Sequence, residues 1–170
     1  MKNKVVIITG ATSGIGYACA RYFAQQGCHI VIAARNEEKL KRIGSELKSL
    51  YGNCLAVPTD VAIETECKNL IQKTIETFGC IDILINNAGI SMRALLNDVS
   101  LNVMHQVMDI NFWGTVNCTK YALPYLIKSQ GSVVGVSSIA GKKGLPARCA
   151  YSASKFAMEG FLESVRIENL

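Results

Sequence analysis

A short β-branched run, Lys4 to Thr9 (KVVIIT), stops at Gly10, and two further glycines follow at Gly14 and Gly16. An uninterrupted apolar segment of this kind suits a strand buried on both faces of a parallel sheet. Immediately downstream, Ile15, Ala18, Cys19, Tyr22 and Phe23 keep the i, i+3, i+4, i+7, i+8 spacing of one helix face, and Gly27 supplies a stop. Strand, glycine turn and helix in that order demand a crossover fold, and no other stretch constrains the chain as much. The turn itself, Thr9-Gly10-Ala11-Thr12-Ser13-Gly14-Ile15-Gly16, reads GxxxGxG, a spacing different from the commoner GxGxxG. Gly10 permits a tight exit from the strand, while Gly14 and Gly16 let a helix N-terminus approach a pyrophosphate. A glycine-rich turn that serves packing alone has the same composition, so the rest of the chain has to decide.

The alternation continues. His29 to Ala34 is a second strand, and Asn36 caps a helix whose first turn holds Glu37 and Glu38, where carboxylates favour the dipole. Leu40, Ile43, Leu47 and Leu50 form its expected buried stripe. Asn53 to Val57 reads as a third strand. Ile63 to Phe78 is a helix with Cys67, Leu70, Ile71, Ile75 and Phe78 inward, ended by Gly79, and Ile81 to Ile85 is a fourth strand. Ser100 caps a helix that runs toward Asn111, and a longer helix from Phe112 to Ile127 is expected to tolerate Pro124 by kinking. Gly131 to Val136 is a fifth strand, followed by a loop with Gly141, Gly144 and Pro146 and a last helix from Tyr151 to Glu168. Strands alternating with helices at short intervals predict a single α/β domain: a doubly wound parallel sheet in three layers, the Rossmann fold.

Composition excludes several classes. With 49% hydrophobic and 18% charged residues, the 170-residue chain can bury a core and is not expected to be disordered. Its formal net charge of +5 is spread in alternating signs, which gives no basis for nucleic-acid binding. No apolar run approaches the roughly 18 residues of a membrane span, and the first strand begins almost at Met1, so no signal peptide, no membrane association and a cytoplasmic location are expected. Seven cysteines, odd in number and without a CxxC pair, read as small apolar residues, and the separated His29 and His105 suggest no metal centre.

Several positions carry chemistry. Where a dinucleotide fold that prefers NAD places an acidic residue, after the second strand, this chain has Ala34 and Arg35. A guanidinium can grip a 2′-phosphate in a bidentate manner, which points to NADP, against the alternative that Arg35 only solvates a strand end. Asp60 and Val61, past the third strand, are placed to border an adenine. Asn86-Asn87-Ala88-Gly89 follows the fourth strand at the edge where open α/β sheets bind ligands, although such a turn can be purely structural. Ser137 and Ser138 end the fifth strand at that same edge. Tyr151 and Lys155 are four apart and share a helix face. A phenol with an ordinary pKa of ~10 is a poor base, and lowering it by about 3 pH units needs about 4 kcal/mol of phenolate stabilisation, for which a neighbouring ammonium is a suitable source.

Together, TGxxxGIG at Thr9 to Gly16, NNAG at Asn86 to Gly89, Asn111, Ser138 and YSASK at Tyr151 to Lys155 make the sequence resemble the short-chain dehydrogenase/reductase family from about Lys4 to Arg166. Ser137 to Lys142 and Tyr151 to Phe161 look most like its hydroxysteroid dehydrogenase branch. The resemblance implies hydride transfer between NADP(H) and a carbonyl or secondary alcohol of a hydrophobic small molecule, with Tyr151 giving or taking the hydroxyl proton. It implies that Ser138 hydrogen-bonds the substrate oxygen, that Lys155 binds the nicotinamide ribose and favours the phenolate, and that Asn111 holds a water of a proton relay. Gly10, Thr12, Ser13, Gly14, Ile15 and Gly16 would line the phosphates, Arg35, Asp60 and Val61 the adenosine end, and Asn87, Ala88 and Gly89 the ribose. The alternatives are a 3-oxoacyl carrier protein reductase and a dinucleotide-binding regulator without turnover.

Family members continue past the last helix with another strand beside the fifth, a substrate-covering segment and a further strand. A chain ending at Leu170 is therefore expected to expose a strand edge, to associate and to be inactive, while a full-length form would pair as a homodimer or homotetramer through the two long helices. Among the remaining residues, Lys142 and Lys143 are expected to be a solvated pair, Cys149 a plain loop thiol, and Phe112 and Trp113 core or interface aromatics.

Overall fold

Strand β1 (Val5–Thr9) sends Val5 and Ile7 to one face of the sheet and Val6 and Ile8 to the other, and all four are buried. That period of two is why an unbroken apolar run is required: each face needs its own packing surface. The computed structural model describes residues 1–169, and Leu170, the residue on which the expectation about the chain's end falls, lies outside them. Four further strands join β1 in parallel: β2 (His29–Ala34), β3 (Cys54–Pro58), β4 (Ile83–Asn86) and β5 (Ser132–Gly135), in the order β3-β2-β1-β4-β5.

Helices α1 (Gly14–Gln25) and α2 (Glu37–Tyr51) cover the face that holds Val6, Ile8, Ile30 and Ile32. Helices α3 (Glu64–Phe78) and α5 (Gly114–Ser129) cover the face of Val5, Ile7, Val31 and Leu84. The result is the expected doubly wound, three-layer sheet. The last helix, α6 (Cys149–Glu168), packs beside α5 and against β5. Each fully buried Leu or Ile in these layers contributes about 1.5–3 kcal/mol. No helix among the described residues is long and apolar enough to cross a membrane.

Asn36 caps α2 as expected, its Oδ1 accepting from the Lys39 N–H at 2.8 Å. Two of the expected helix stripes are corrected. In α1 the inward face is Gly16, Ala20 and Ala24, while Ile15, Ala18 and Tyr22 are exposed. The small residues let α1 lie close to the sheet, with Tyr17, Cys19 and Phe23 packed at the flanks of that contact and Ile15 and Tyr22 turned to solvent. In α2 Leu50 is exposed and Gly44 is inward, because the Gly44 position has the Ala56 methyl immediately in front of it. The expected break near Asn111 is also absent. Helix α4 (Leu101–Met108), capped by Ser100, runs through a π-helical turn (Asp109–Trp113) straight into α5. Helix α5 continues through Pro124, and the carbonyl left without its donor belongs to Lys120, an exposed residue.

The sheet is stapled at the end opposite the loops after β1 and β4 by Asp82, a residue with no role in the sequence reading. Its Oδ2 accepts from the Val5 N–H at 2.8 Å and its Oδ1 from Lys4 Nζ at 2.6 Å, while its own backbone bonds to Val5 and Ser132. Burial opposes the Asp82 charge, but the Lys4 and Val5 hydrogen bonds outweigh it and hold the carboxyl below its usual range. A folded-state value lower than the unfolded one means stability that is present above the unfolded pKa and lost as pH falls through the folded one. Asp82→Ala leaves the buried Val5 N–H without its side-chain acceptor and is expected to cost about 1–3 kcal/mol in urea unfolding at pH 7. The gap between parent and variant should shrink as the solution is acidified below pH 4.

Candidate active site

The C-terminal ends of all five strands open onto a cleft of about 860 Å³, the size of a small-molecule site. Gly10, Thr12, Ser13 and Ile15 form one wall; Ala34, Arg35, Asp60 and Val61 close one end; Asn87, Ala88 and Gly89 form the floor; Ser137, Tyr151 and Lys155 close the other end. The sequence-predicted positions from five separate segments therefore meet around one space. Gly14, Gly16, Asn111 and Ser138 lie outside the lining; of these, Gly16 sits against Asn87 and Asn111 against Gly89.

The glycine turn is held by hydrogen bonds that cross from β1 to β4. Thr9 Oγ1 accepts from the N–H groups of Asn87 and Ala88 at 3.1 and 3.0 Å. In return Asn87 Nδ2 donates to the carbonyls of Thr9 and Gly10 at 2.8 and 3.2 Å. This explains two of the glycines by close approach. A Cβ on Gly10, which has φ +65°, would stand 2.8 Å from the Ala88 Cα, and one on Gly16 would stand 2.4 Å from Asn87 Nδ2. Helix α1 starts at Gly14 with Ser13 in extended conformation and no side-chain cap, so its first N–H groups are free donors at the cleft wall. Asn86 Nδ2 donates to Thr119 Oγ1 at 3.0 Å and ties the same strand end to α5.

At the far end, Arg35 is 62% exposed at its side chain, and the Asp60 carboxylate lies 4.0 Å from it. The end of β2 carries no acid, as the sequence indicates, but a carboxylate reaches Arg35 from the loop after β3. Asp60 is itself held, its N–H donating to Glu66 Oε2 at 2.6 Å and its Oδ1 accepting from Ala62 at 3.1 Å. Val61 is buried against Gly114, where a Cβ would stand 2.6 Å from the Val61 side chain.

Tyr151 and Lys155 share one face of α6, and Lys155 Nζ lies 5.9 Å from the centroid of the Tyr151 ring. Lys155 is 5% exposed and donates to the Val136 carbonyl at 2.7 Å. Burial pushes its amine below the ordinary lysine value. Asn111 is fully buried in the π-helical turn. Its Oδ1 accepts from the Ile90 N–H at 2.8 Å, and its Nδ2 donates to the Ile90 carbonyl and to Ser154 Oγ, both at 2.9 Å. The side chain thus clamps the loop after β4 to α6, directly behind Gly89 and Lys155. Ser138 is half-buried just past β5, and its Oγ accepts from the Ala140 N–H at 3.1 Å, which leaves the hydroxyl proton free.

The structure adds detail to the expectations about neighbouring residues. Lys142 is paired with Glu159, which also accepts from Ser137 Oγ at 2.6 Å, so it is not simply solvated like Lys143. Cys149 opens α6 and packs in a small apolar cluster with Met92, Val107 and Ala150. Phe112 packs edge-on against Phe161, while Trp113 is 51% exposed. The sequence places Thr9 at the end of the strand and the start of the glycine motif without giving it a role, and in the structure its hydroxyl anchors that turn to the loop after β4. Its one visible signal is a hydroxyl at the end of an otherwise apolar run. Thr9→Val keeps the shape and removes the shared acceptor of two backbone N–H groups, so a loss of about 2–4 kcal/mol is expected in thermal or urea unfolding.

The chain is similar to known proteins along nearly its whole length. The model of the short chain dehydrogenase family matches residues 4–169. The chain is 41% identical over 168 residues to 11-beta-hydroxysteroid dehydrogenase-like 3 of Arabidopsis thaliana, covering 98% of this chain and 54% of that protein. It is 42% identical over 176 residues to dehydrogenase/reductase SDR family member 7B of Bos taurus, covering 99% and 54%. The chain thus spans about half the length of the curated relatives it matches. An alcohol dehydrogenase from the archaeon Thermococcus sibiricus, solved with 5-hydroxy-NADP, superposes with a TM-score of 0.96 at 28% identity, over 99% of this chain and 72% of that one. A short-chain dehydrogenase/reductase from Burkholderia phymatum, solved with NAD, gives 0.93 at 30% identity, over 96% and 59%. Sequence similarity that runs along the whole glycine turn, sheet and α6, on a fold that superposes this closely, leaves one assignment: the chain belongs to the short-chain dehydrogenase family.

Proposed function

We propose that this chain carries the dinucleotide-binding and proton-transfer machinery of an NADP(H)-dependent oxidoreductase acting on a carbonyl or secondary alcohol of a hydrophobic small molecule. The observation that carries the reading is Lys155. It is a buried ammonium without a carboxylate partner among the described residues, set beside a phenol at the closed end of the cleft. A buried cation is costly, and it is retained where it holds a ligand or a developing charge. The residues fit a dinucleotide: free N–H groups at the start of α1 suit a pyrophosphate, and the cleft runs from there to Arg35 at one end and Tyr151 at the other.

When bound, the nicotinamide supplies or accepts the hydride. The chain does the rest. The α1 N-terminus and glycine turn would hold the phosphates, and Lys155 would bind the ribose hydroxyls. Tyr151 Oη gives its proton to the carbonyl oxygen in reduction and takes it back in oxidation. The Ser138 hydroxyl, its proton uncommitted, stabilises that oxygen as charge develops. Asn111 has its side-chain bonds committed to Ile90 and Ser154, so its part is to hold the loop, α6 and hence Lys155 in place. The relatives named as hydroxysteroid dehydrogenase-like support a hydrophobic substrate. The exposed Trp113 and Phe156, at 51% and 47%, support pairing of copies through α5 and α6 as part of the same reading.

The choice of NADP rests on Arg35 and on the absence of an acid at the end of β2. Arg35→Asp is expected to reverse the preference in fluorescence titrations with NADPH and NADH, and equal affinity of the parent for both would sink the choice. Tyr151→Phe keeps the ring and removes the acid, so NADPH binding should stay within about twofold while, in an active full-length form, turnover of a ketone panel followed at 340 nm falls at least ~100-fold. A Phe variant that keeps most of its kcat would show that another group moves the proton.

A further inference from the structure

Arg148 immediately precedes α6, three residues before Tyr151, and is half-buried. Its guanidinium carbon lies 6.0 Å from the centroid of the Tyr151 ring. It also donates to Oγ of Ser91, a residue of the loop after β4 that lines the cleft. Among the described residues no carboxylate pairs with it, so the guanidinium is spent on the aromatic ring and a neutral hydroxyl. The same two segments are joined through the backbone, where the Ala94 N–H donates to the Ala147 carbonyl at 3.0 Å. Ala147 itself has φ +56°, a left-handed conformation that favours glycine. A side-chain-bearing residue stays there only when its surroundings over-determine it. Here those surroundings are the Ala94 bond on one side and the Arg148 bridge on the other.

The geometry points to Arg148 as a positioning residue that locks the loop after β4 to the start of α6 and fixes the ring of Tyr151 for proton transfer. This rests on the reading of Tyr151 as the proton donor. Tyr151 sits in the first turn of α6, where the helix ends in no side-chain cap. Lys155 is committed to the Val136 carbonyl and does not follow the ring if the ring turns. A planar guanidinium can lie near an aromatic face while its fork bonds sideways to Ser91, which an ammonium of the same charge does less well. Without Arg148, the ring and the loop lose their common support together, and a small displacement of a proton donor reduces rate steeply.

The test uses the chain labelled with 13Cζ-tyrosine. Its six tyrosines give six signals, and Tyr151→Phe identifies the one from Tyr151. In Arg148→Ala that signal should shift or broaden with the other five in place, Ser91→Ala should move it in the same direction by less, and Arg148→Lys should restore it in part. In the same samples kcat for ketone reduction should fall about tenfold in Arg148→Ala, with the KM for NADPH unchanged. A Tyr151 signal that superimposes on the parent's would overturn the proposal, and so would all six signals moving together, which marks a general loosening. A parent chain that binds NADPH but turns over no ketone, the outcome expected of these 170 residues alone, leaves kcat silent on Tyr151, and the Tyr151 signal then still decides whether Arg148 holds the ring.

Discussion

Where β1 and β4 leave the sheet side by side, the N–H groups of Asn87 and Ala88 and the carbonyls of Thr9 and Gly10 all need partners as the strand ladder ends. Thr9 Oγ1 and Asn87 Nδ2 supply them. The rest of the cleft is built outward from this exchange. It sets the distance between the glycine turn and the loop after β4, which in turn aims the open N-terminus of α1 along the cleft. It also leaves no room for side chains at Gly10 and Gly16. A buried backbone group left unpaired costs enough that a sequence lacking this hydroxyl and amide would need another path for the chain.

A second exchange holds the opposite end of the cleft. Asn111 binds both backbone groups of Ile90 and the hydroxyl of Ser154, so one side chain joins a loop, a π-helical turn and α6. The wide turn also frees the Asn111 carbonyl to accept from Thr115 Oγ1 at 2.9 Å. π-Helical turns recur at functional sites because they point a side chain inward without ending the helix, and that is their use here. Lys155 then completes the end by reaching back to Val136, tying α6 to the edge strand β5.

Local signals that depend on one element were legible in the sequence. The strand at Lys4 to Thr9, the Asn36 cap, the α3 stripe of Cys67, Leu70 and Ile71, and the pairing of Tyr151 with Lys155 on one helix face all follow from periodicity or capping chemistry within a few residues. Features that depend on what approaches from elsewhere were not. The spacing of apolar residues in α1 favours a face that includes Ile15 and Tyr22, yet the sheet selects the face of Gly16, Ala20 and Ala24, since only small residues allow close packing there. Leu50, also expected inward, is exposed near the C-terminal end of α2.

The sequence by itself determined the order of strands and helices and the parallel, doubly wound class. It also put the candidate residues in the turns after the strands and on the last helix, because strands, caps and glycine turns are each written along a single stretch. Only the tertiary structure decided that Thr9 is the hinge of the glycine turn, that Asn111 spends its side chain on Ile90 and Ser154, and that Asp60 stands against Arg35. It likewise decided that Asp82 staples the sheet and that Arg148 meets Tyr151 and Ser91. Each of these depends on hydrogen-bond partners or charges many residues apart in the chain, brought within a few ångströms only when the sheet closes and buried groups must find whatever donor or acceptor the fold presents.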